Sequence, residues 1–449
     1  MATQRLSDLT ESLLARARAA GAESADAIAV EGRAVSIDVR EGKLEQAERA
    51  EAIEIGLRVL IGKRQACVSA SDISERTIAE MAERAVTMAR LAPEDPYIGL
   101  ADPAQLAQVR DASALELADP AADPAAADLE RDAFEAEAAA LAVNGVSKVD
   151  QASASWSRQT LHMAATNGFS GGYERSSRAI SAVAITGEGL EMERDWAAES
   201  RVFQSDLPSA TDIGREAGER TVAGAHPRRP RTGAFPILFD ERIAGSLIGH
   251  LLAAINGTAV ARGASWLRDG LGTQVLPEGL SIVENPHRLR ISGSRPFDGE
   301  GLATAPRTIV DNGVLTGWTL DLATGRKLGM PSTANAARGL SSPPTPAVGN
   351  IALTQGTRSR DELIAGMGTG LIVTSFIGAT INPTTGDYSR GVSGFWVENG
   401  QVQYPVNEGT IAGNLHDMLR RIVPANDARL HRSHVVPSLL LEGLTIAGA

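Results

Sequence analysis

The chain has 449 residues, more than one ordinary core holds, so two or three domains are expected. Its 43 % hydrophobic and 22 % charged residues are those of a globular protein rather than a disordered one. A net charge of −12 argues against a nucleic-acid binder, whose surface must neutralise phosphates. The single cysteine, Cys67, excludes an internal disulfide and a thiolate-rich zinc knuckle. No apolar run approaches the ~18–20 residues that span a bilayer, and Met1–Leu6 leads into an amphipathic helix without a signal-like apolar region. A cytoplasmic location is the expectation.

Leu6, Leu9, Leu13, Ala17 and Ala20 mark a first helix ended by Gly21. Strand-like segments follow at 26–31, 34–40, 44–50 and 52–61, with glycine turns expected at Gly32, Gly42 and Gly62. Ser71–Ser74 caps a second helix with the apolar stripe Ile78, Met81, Ala82, Ala85 and Ala89. Residues 93–128, rich in Ala and Pro, read as a surface connection. The same order then recurs. A helix near 129–141 precedes strands around 146–157, 159–166, 177–188 and 190–203, and a helix over 210–222. Arg228–Arg231 reads as a solvated linker.

From 232 to 449 the texture is glycine-rich and β-like. Phe235–Asp240 is a strand feeding a helix from Ile243 to Ile255, with Asn256-Gly257 as its stop. Asn399-Gly400 is a hairpin turn between apolar strands, and further helices are expected at 359–367 and 410–422. The fold class is therefore α+β. Two helix–antiparallel-meander–helix halves (1–92 and 129–225) flank the 93–128 connection and precede a β-rich domain at 232–449.

Candidate chemistry is sparse. No His-Glu-x-x-His string occurs, and His431 and His434 would point to opposite faces of a strand. Gly168-Phe169-Ser170-Gly171-Gly172 has the form of a nucleophile elbow, yet it lies within a meander and reads as a hairpin turn. Gly366–Gly370 and Gly56–Arg64 both fail as nucleotide loops. Cys67 has no histidine nearby in sequence.

The residues beyond 235 carry a resemblance. They are Phe239-Asp240 with the helix through Gly257, Ala264–Leu267, Leu315–Gly317, Pro331–Arg338, Gly370–Thr374, Ile381–Ser389, Gly391–Gly400 and Tyr404–Val406. Together they resemble the TldD/PmbA family on its PmbA (TldE) branch, and the repeated halves before 225 fit it as well. The resemblance implies a cytoplasmic two-subunit metallopeptidase that acts on unfolded proteins and peptides, in peptide-antibiotic maturation and antitoxin removal. Its TldD-type subunit holds zinc on a His-Glu-x-x-x-His helix and a distant cysteine.

Placed on that motif, the helix reads Ile248 and Ala253 for the two histidines and Gly249 for the glutamate, with His250 out of register. These are vestigial positions, so neither a metal nor a catalytic residue is expected in this chain, and the zinc is assigned to a TldD-type partner. Unfolded peptide is the expected ligand, bound by strand addition in a cleft near Asn335, Arg338 and Asn382. Two other readings stand beside this one. The chain could be an adaptor acting on DNA gyrase or toxin–antitoxin proteins, or a homodimeric peptidase with ligands from His416, His431 and His434.

Overall fold

The computed structural model describes residues 2–448. Helices and sheets are mixed in an α+β fold. Helix α1 (Ala2–Ala19) precedes strands β1 (Ser24–Arg40), β2 (Lys43–Ile61) and β3 (Arg64–Ala70), and α2 (Glu75–Leu91) closes the first half. The second half repeats that order with α3 (Ala126–Leu141), β4 (Val146–Ala165), β5 (Ser170–Thr186), β6 (Glu193–Arg201) and α4 (Ala210–Ala223). The halves do not form separate sheets. β1 pairs antiparallel with β4, giving one six-stranded sheet in the order β3-β2-β1-β4-β5-β6.

Helices cover one face of this sheet. α1 and α2 bury Ala25, Ala27, Ala29, Ile55, Leu57 and Val59 at one end, and α3 and α4 bury Ile37, Val39, Ala152 and Ala182 at the other. The stripe Ile78, Met81, Ala82, Ala85 and Ala89 is buried as expected, and Ser74 caps α2 by accepting from the Thr77 amide. Turns form at Gly42 (φ 67°) and Gly62 (φ 57°). None forms at Gly32 or near Ala50–Ala52, where β1 and β2 run straight through, and β4 likewise passes 158 unbroken. Gly32 sits between Ala52 on one side and Gln159 on the other. Two ladders fix its backbone, and they outweigh its local preference for a turn.

The 93–128 connection is not a surface loop. Leu106, Ala107, Leu115 and Leu117 are buried, and the Ala107 amide donates to the Gly301 carbonyl while Arg290 donates to Leu115. The segment is a strap on the sheet face opposite the helices. There Ile28 and Met163 meet Phe169, Phe297, Leu302 and Leu322 in a common cluster.

The C-terminal part is built on β7 (Gly233–Phe239), flanked by strands Gly370–Ile381 and Leu439–Gly448. Strands Asp387–Glu398 and Gln401–Asn414 continue the sheet, joined through Asn399 (φ 53°) and Gly400 (φ 71°) in the expected hairpin. Gly409–Ala412 then pairs with Thr445–Gly448, closing the sheet on itself. The expected helix over 410–422 is instead strand to Asn414 and a short helix Leu415–Leu419, because closing the sheet claims 409–412. The Arg228–Arg231 run is also pinned rather than free. Arg228 stacks on Tyr404 at 4.8 Å, Arg229 pairs with Glu408 and Arg231 with Glu398.

Candidate functional site

β7 leads directly into α5 (Glu241–Ala254), whose N-cap Asp240 accepts from the Arg242 amide. Ala244, Leu247, Ile248, Leu251, Leu252 and Ala254 face the core. Asn256-Gly257 does not end α5 in a left-handed turn; Ile255 is its C-cap, and Asn256 caps a second short helix, Gly257–Ala261. Glycine is required at 257 for another reason. A Cβ there would lie 2.6 Å from Leu320 Cδ2 and 2.7 Å from Thr324 Oγ1.

The other face of α5 is open. A Cβ at Gly245 or Gly249 would touch nothing within 4 Å, and Ala253 is exposed. Of the four motif positions, Ile248 is fully buried while Gly249 and Ala253 lie toward this open side, so 248 and 253 share no space. At the same spacing, Gly245, Ser246 and His250 are all only partly buried. The His250 ring meets Tyr388 edge-on at 5.9 Å, and its buried Nε2 has no hydrogen-bond partner. Burial, then Arg390, pushes the imidazole pKa down and favours the neutral ring. Burial likewise pushes Tyr388 up to about 12.

Around the start of α5 the sheet and the C-terminal barrel enclose a cleft. Arg242 pairs with Asp195 and lies over the Trp196 indole, which is half exposed. On one side of Trp196 is a cavity of about 620 Å³ between β4–β6 and the barrel, with Ile377, Phe395 and Asn407 on its far wall. On the other is a cavity of about 190 Å³ with Glu241, Gly245, Arg220, Arg429 and Arg432. Strand Gly370–Ile381 is flanked by β7 only over Leu371–Val373, and Thr374, Ser375 and Ile377 line the larger cavity.

The cleft residues expected from the sequence lie elsewhere. Asn335 is buried and donates to Glu284 and the Ala347 carbonyl. The Arg338 side chain is 1 % exposed, pairs with Asp26 and pins the C-terminal part to β1. Asn382 is exposed but serves its own turn, accepting from the Thr384 and Thr385 amides. A polar side chain in a loop is as readily a fastener as a ligand contact, and sequence does not separate the two. Trp196 and the Asp195–Arg242 pair belong to no motif of the sequence. The one available signal was a large aromatic in a strand that otherwise reads Glu-Arg-Asp-Trp-Ala-Ala-Glu.

The histidines are likewise dispersed. His416 packs on Trp266 at 4.7 Å, and His431 approaches Glu199 at 3.2 Å. Among the described residues no group of three or more His, Cys, Asp or Glu is placed to hold a metal. α5 offers one imidazole, His250, where a catalytic zinc takes about three protein ligands, so its residues do not fit the metal motif that the resemblance places in the TldD-type subunit. Ser170 lies at the hairpin as expected and contacts His162 Nε2 at 3.3 Å, while His162 Nδ1 contacts Thr10. Cys67 is half buried, and burial pushes its thiol pKa up, away from thiolate.

Comparison with known proteins places this architecture. Models of the PmbA/TldA metallopeptidase domain 1, central domain and C-terminal domain match residues 25–89, 119–225 and 232–448. Metalloprotease PmbA of Escherichia coli O157:H7 is 36 % identical over 415 residues, 92 % of this chain and 90 % of that one. The chain belongs to the PmbA/TldD metallopeptidase family. A crystal structure from Bacteroides thetaiotaomicron, named as a candidate modulator of DNA gyrase, superposes with TM-score 0.91 at 26 % identity, covering 98 % of both chains. TldE from Thermococcus kodakarensis shares the fold at TM-score 0.85 and 18 % identity, over 98 % of this chain and 100 % of that one. Within the PmbA/TldD family, α5 is the element on which the resemblance locates the metal motif. In this chain the part of α5 outside the core carries a single histidine, His250, and at its start Glu241 and Arg242.

Proposed function

We propose that this chain is the non-catalytic, TldE-like subunit of a heterodimeric zinc metallopeptidase acting on unfolded proteins and peptides, with the zinc held by a TldD-type partner. The observation that carries this reading is α5, an inherited helix whose open face lacks the ligands for a metal. The Gly245–Ser246–His250 register supports it best, because all three are only partly buried whereas Ile248 is fully buried. His250 is then the remaining side chain of a lost ligand set. The cleft around Trp196, Ile377 and Phe395 is of a size to pass an extended peptide beside that helix.

The test is zinc content and peptide hydrolysis for the chain alone, for a TldD-type partner and for both together. The isolated chain should hold no stoichiometric zinc and turn over no peptide, and the mixture should gain activity over the partner alone. Stoichiometric zinc with turnover by the isolated chain would overturn the proposal. The adaptor reading draws on the gyrase name of the Bacteroides relative. Affinity capture that recovers gyrase without a TldD-type subunit would favour it.

A further inference from the structure

Buried polar atoms without a hydrogen bond are few in native proteins, and each calls for a partner. Ser246 Oγ, His250 Nε2 and the Tyr388 hydroxyl are three such atoms. Among the described residues none of these side chains makes a well-formed hydrogen bond. That sets them apart from Asp26, Asn335 and Arg338, whose own unsatisfied atoms sit on side chains held by ion pairs or other hydrogen bonds. Tyr388 is 2 % exposed, and its ring meets His250 edge-on at 5.9 Å. Ser246 stands one turn before His250 on α5, and side chains four apart lie on one face of a helix.

A cation completes the group. Arg390 is two residues beyond Tyr388 and therefore on the same face of the strand Asp387–Glu398. It lies close enough to His250 and Tyr388 for its charge to act on both rings. Its guanidinium stands over the Phe376 ring at 4.0 Å and donates through Nε to the Gly378 carbonyl. Among the described residues no carboxylate lies within 4 Å of it. Arg242, Arg307 and Arg338, by contrast, each hold an aspartate or glutamate.

The chemistry of this set is one-sided. Guanidinium, phenol, serine hydroxyl and the Nε2–H tautomer of imidazole all donate. Donors gathered beside an uncompensated positive charge favour an oxygen anion, whereas a zinc ion would be repelled by the same arginine. A single positive charge balances a monoanion, and the planar fork of arginine matches the two oxygens of a carboxylate.

We infer that Arg390, Tyr388 and His250, with Ser246 as a further donor, form a carboxylate-binding site against α5. The carboxylate is the free C-terminus of an unfolded peptide or a small carboxylic acid. The peptide form rests on the peptidase-subunit reading above; the carboxylate chemistry does not.

Isothermal titration of the full-length chain tests this with an unstructured hexapeptide, its C-amidated form and acetate. A chelator is kept present so that zinc plays no part. The free-acid peptide should bind about tenfold or more tightly than the amide, which keeps the same chain and loses only the charge. Arg390→Gln should erase that difference, and Tyr388→Phe, which removes only the hydroxyl, should narrow it by about fivefold. Acetate binding that is lost in Arg390→Gln, with acid and amide peptides alike, would also support the site and assign it to small carboxylates. Absence of binding by all three probes, equal affinity for acid and amide without acetate binding, or an acid preference that survives Arg390→Gln would each overturn the inference and leave the buried atoms to water. Zinc content and the gain of activity with a partner are separate readouts, so a failure here and a failure of the subunit reading are told apart.

Discussion

At the scale of single residues, the seam between the two parts encloses buried ionisable groups. Glu300 is enclosed by Asp298, Asp321 and Arg58, and it accepts from the Leu322 amide. Burial, then Asp298, pushes its carboxyl up to about 8. The native carboxyl therefore keeps its proton across a range where the unfolded chain has lost it. The native state binds more protons there, so stability falls as pH rises from the ordinary carboxylate range toward about 8. Glu300→Gln should flatten that fall, with a gain on the order of 2 kcal/mol at pH 8 relative to pH 6, read from denaturant midpoints. An unchanged slope would refute the assignment. Arg338 is the matching cation. Its loss removes one of two cations on Asp26 and leaves the Asp26–Arg58 pair, and Arg338→Ala should cost roughly 1–3 kcal/mol through its lost charged hydrogen bonds. Stability, rather than peptide affinity per folded molecule, is the quantity expected to change.

At the scale of elements, α5 offers a paired test of where its surroundings are tight. Gly257, just beyond it, packs against Leu320 and Thr324, whereas Gly249 in its middle faces open space. Gly257→Ala should destabilise by about 1–3 kcal/mol through overpacking. Gly249→Ala should be neutral or stabilising by up to about 1 kcal/mol, since alanine is the better helix former and meets nothing. Thermal denaturation of the two variants separates these outcomes. The helix itself was legible in the sequence, because Leu247, Ile248, Leu251 and Leu252 recur at helical spacing and all are buried. Its open face was not legible, since periodicity gives the buried side and says nothing of what stands opposite the other.

At the scale of the whole molecule, the strap and the Phe297 cluster make the two parts interdependent. Phe297 is 2 % exposed and packs edge-on to Phe169 at 5.0 Å and Tyr173 at 5.4 Å. Residues 232–448 expressed alone would leave Phe297, Leu302 and Leu322 uncovered. That fragment should bind an apolar dye such as ANS strongly and aggregate, whereas the full chain should not. A fragment that stays monomeric and dye-silent would show that the seam is dispensable.

The sequence by itself determined the fold class, the repeated order of helices and strands, the turns at Gly42, Gly62 and Asn399-Gly400, and the family. These are local periodicities and short strings, carried by neighbours in the chain. Only the tertiary structure decided that Gly32 lies mid-strand, that the Pro-rich strap is interior, that Arg338 and Asn335 are fasteners, and that Trp196 stands in a cleft beside α5. Each of those depends on residues distant in the chain, 51 away for Asn335 and Glu284 and 312 for Arg338 and Asp26, or on a second ladder. A side chain's chemistry is written in its own position, but its exposure is set by what packs against it.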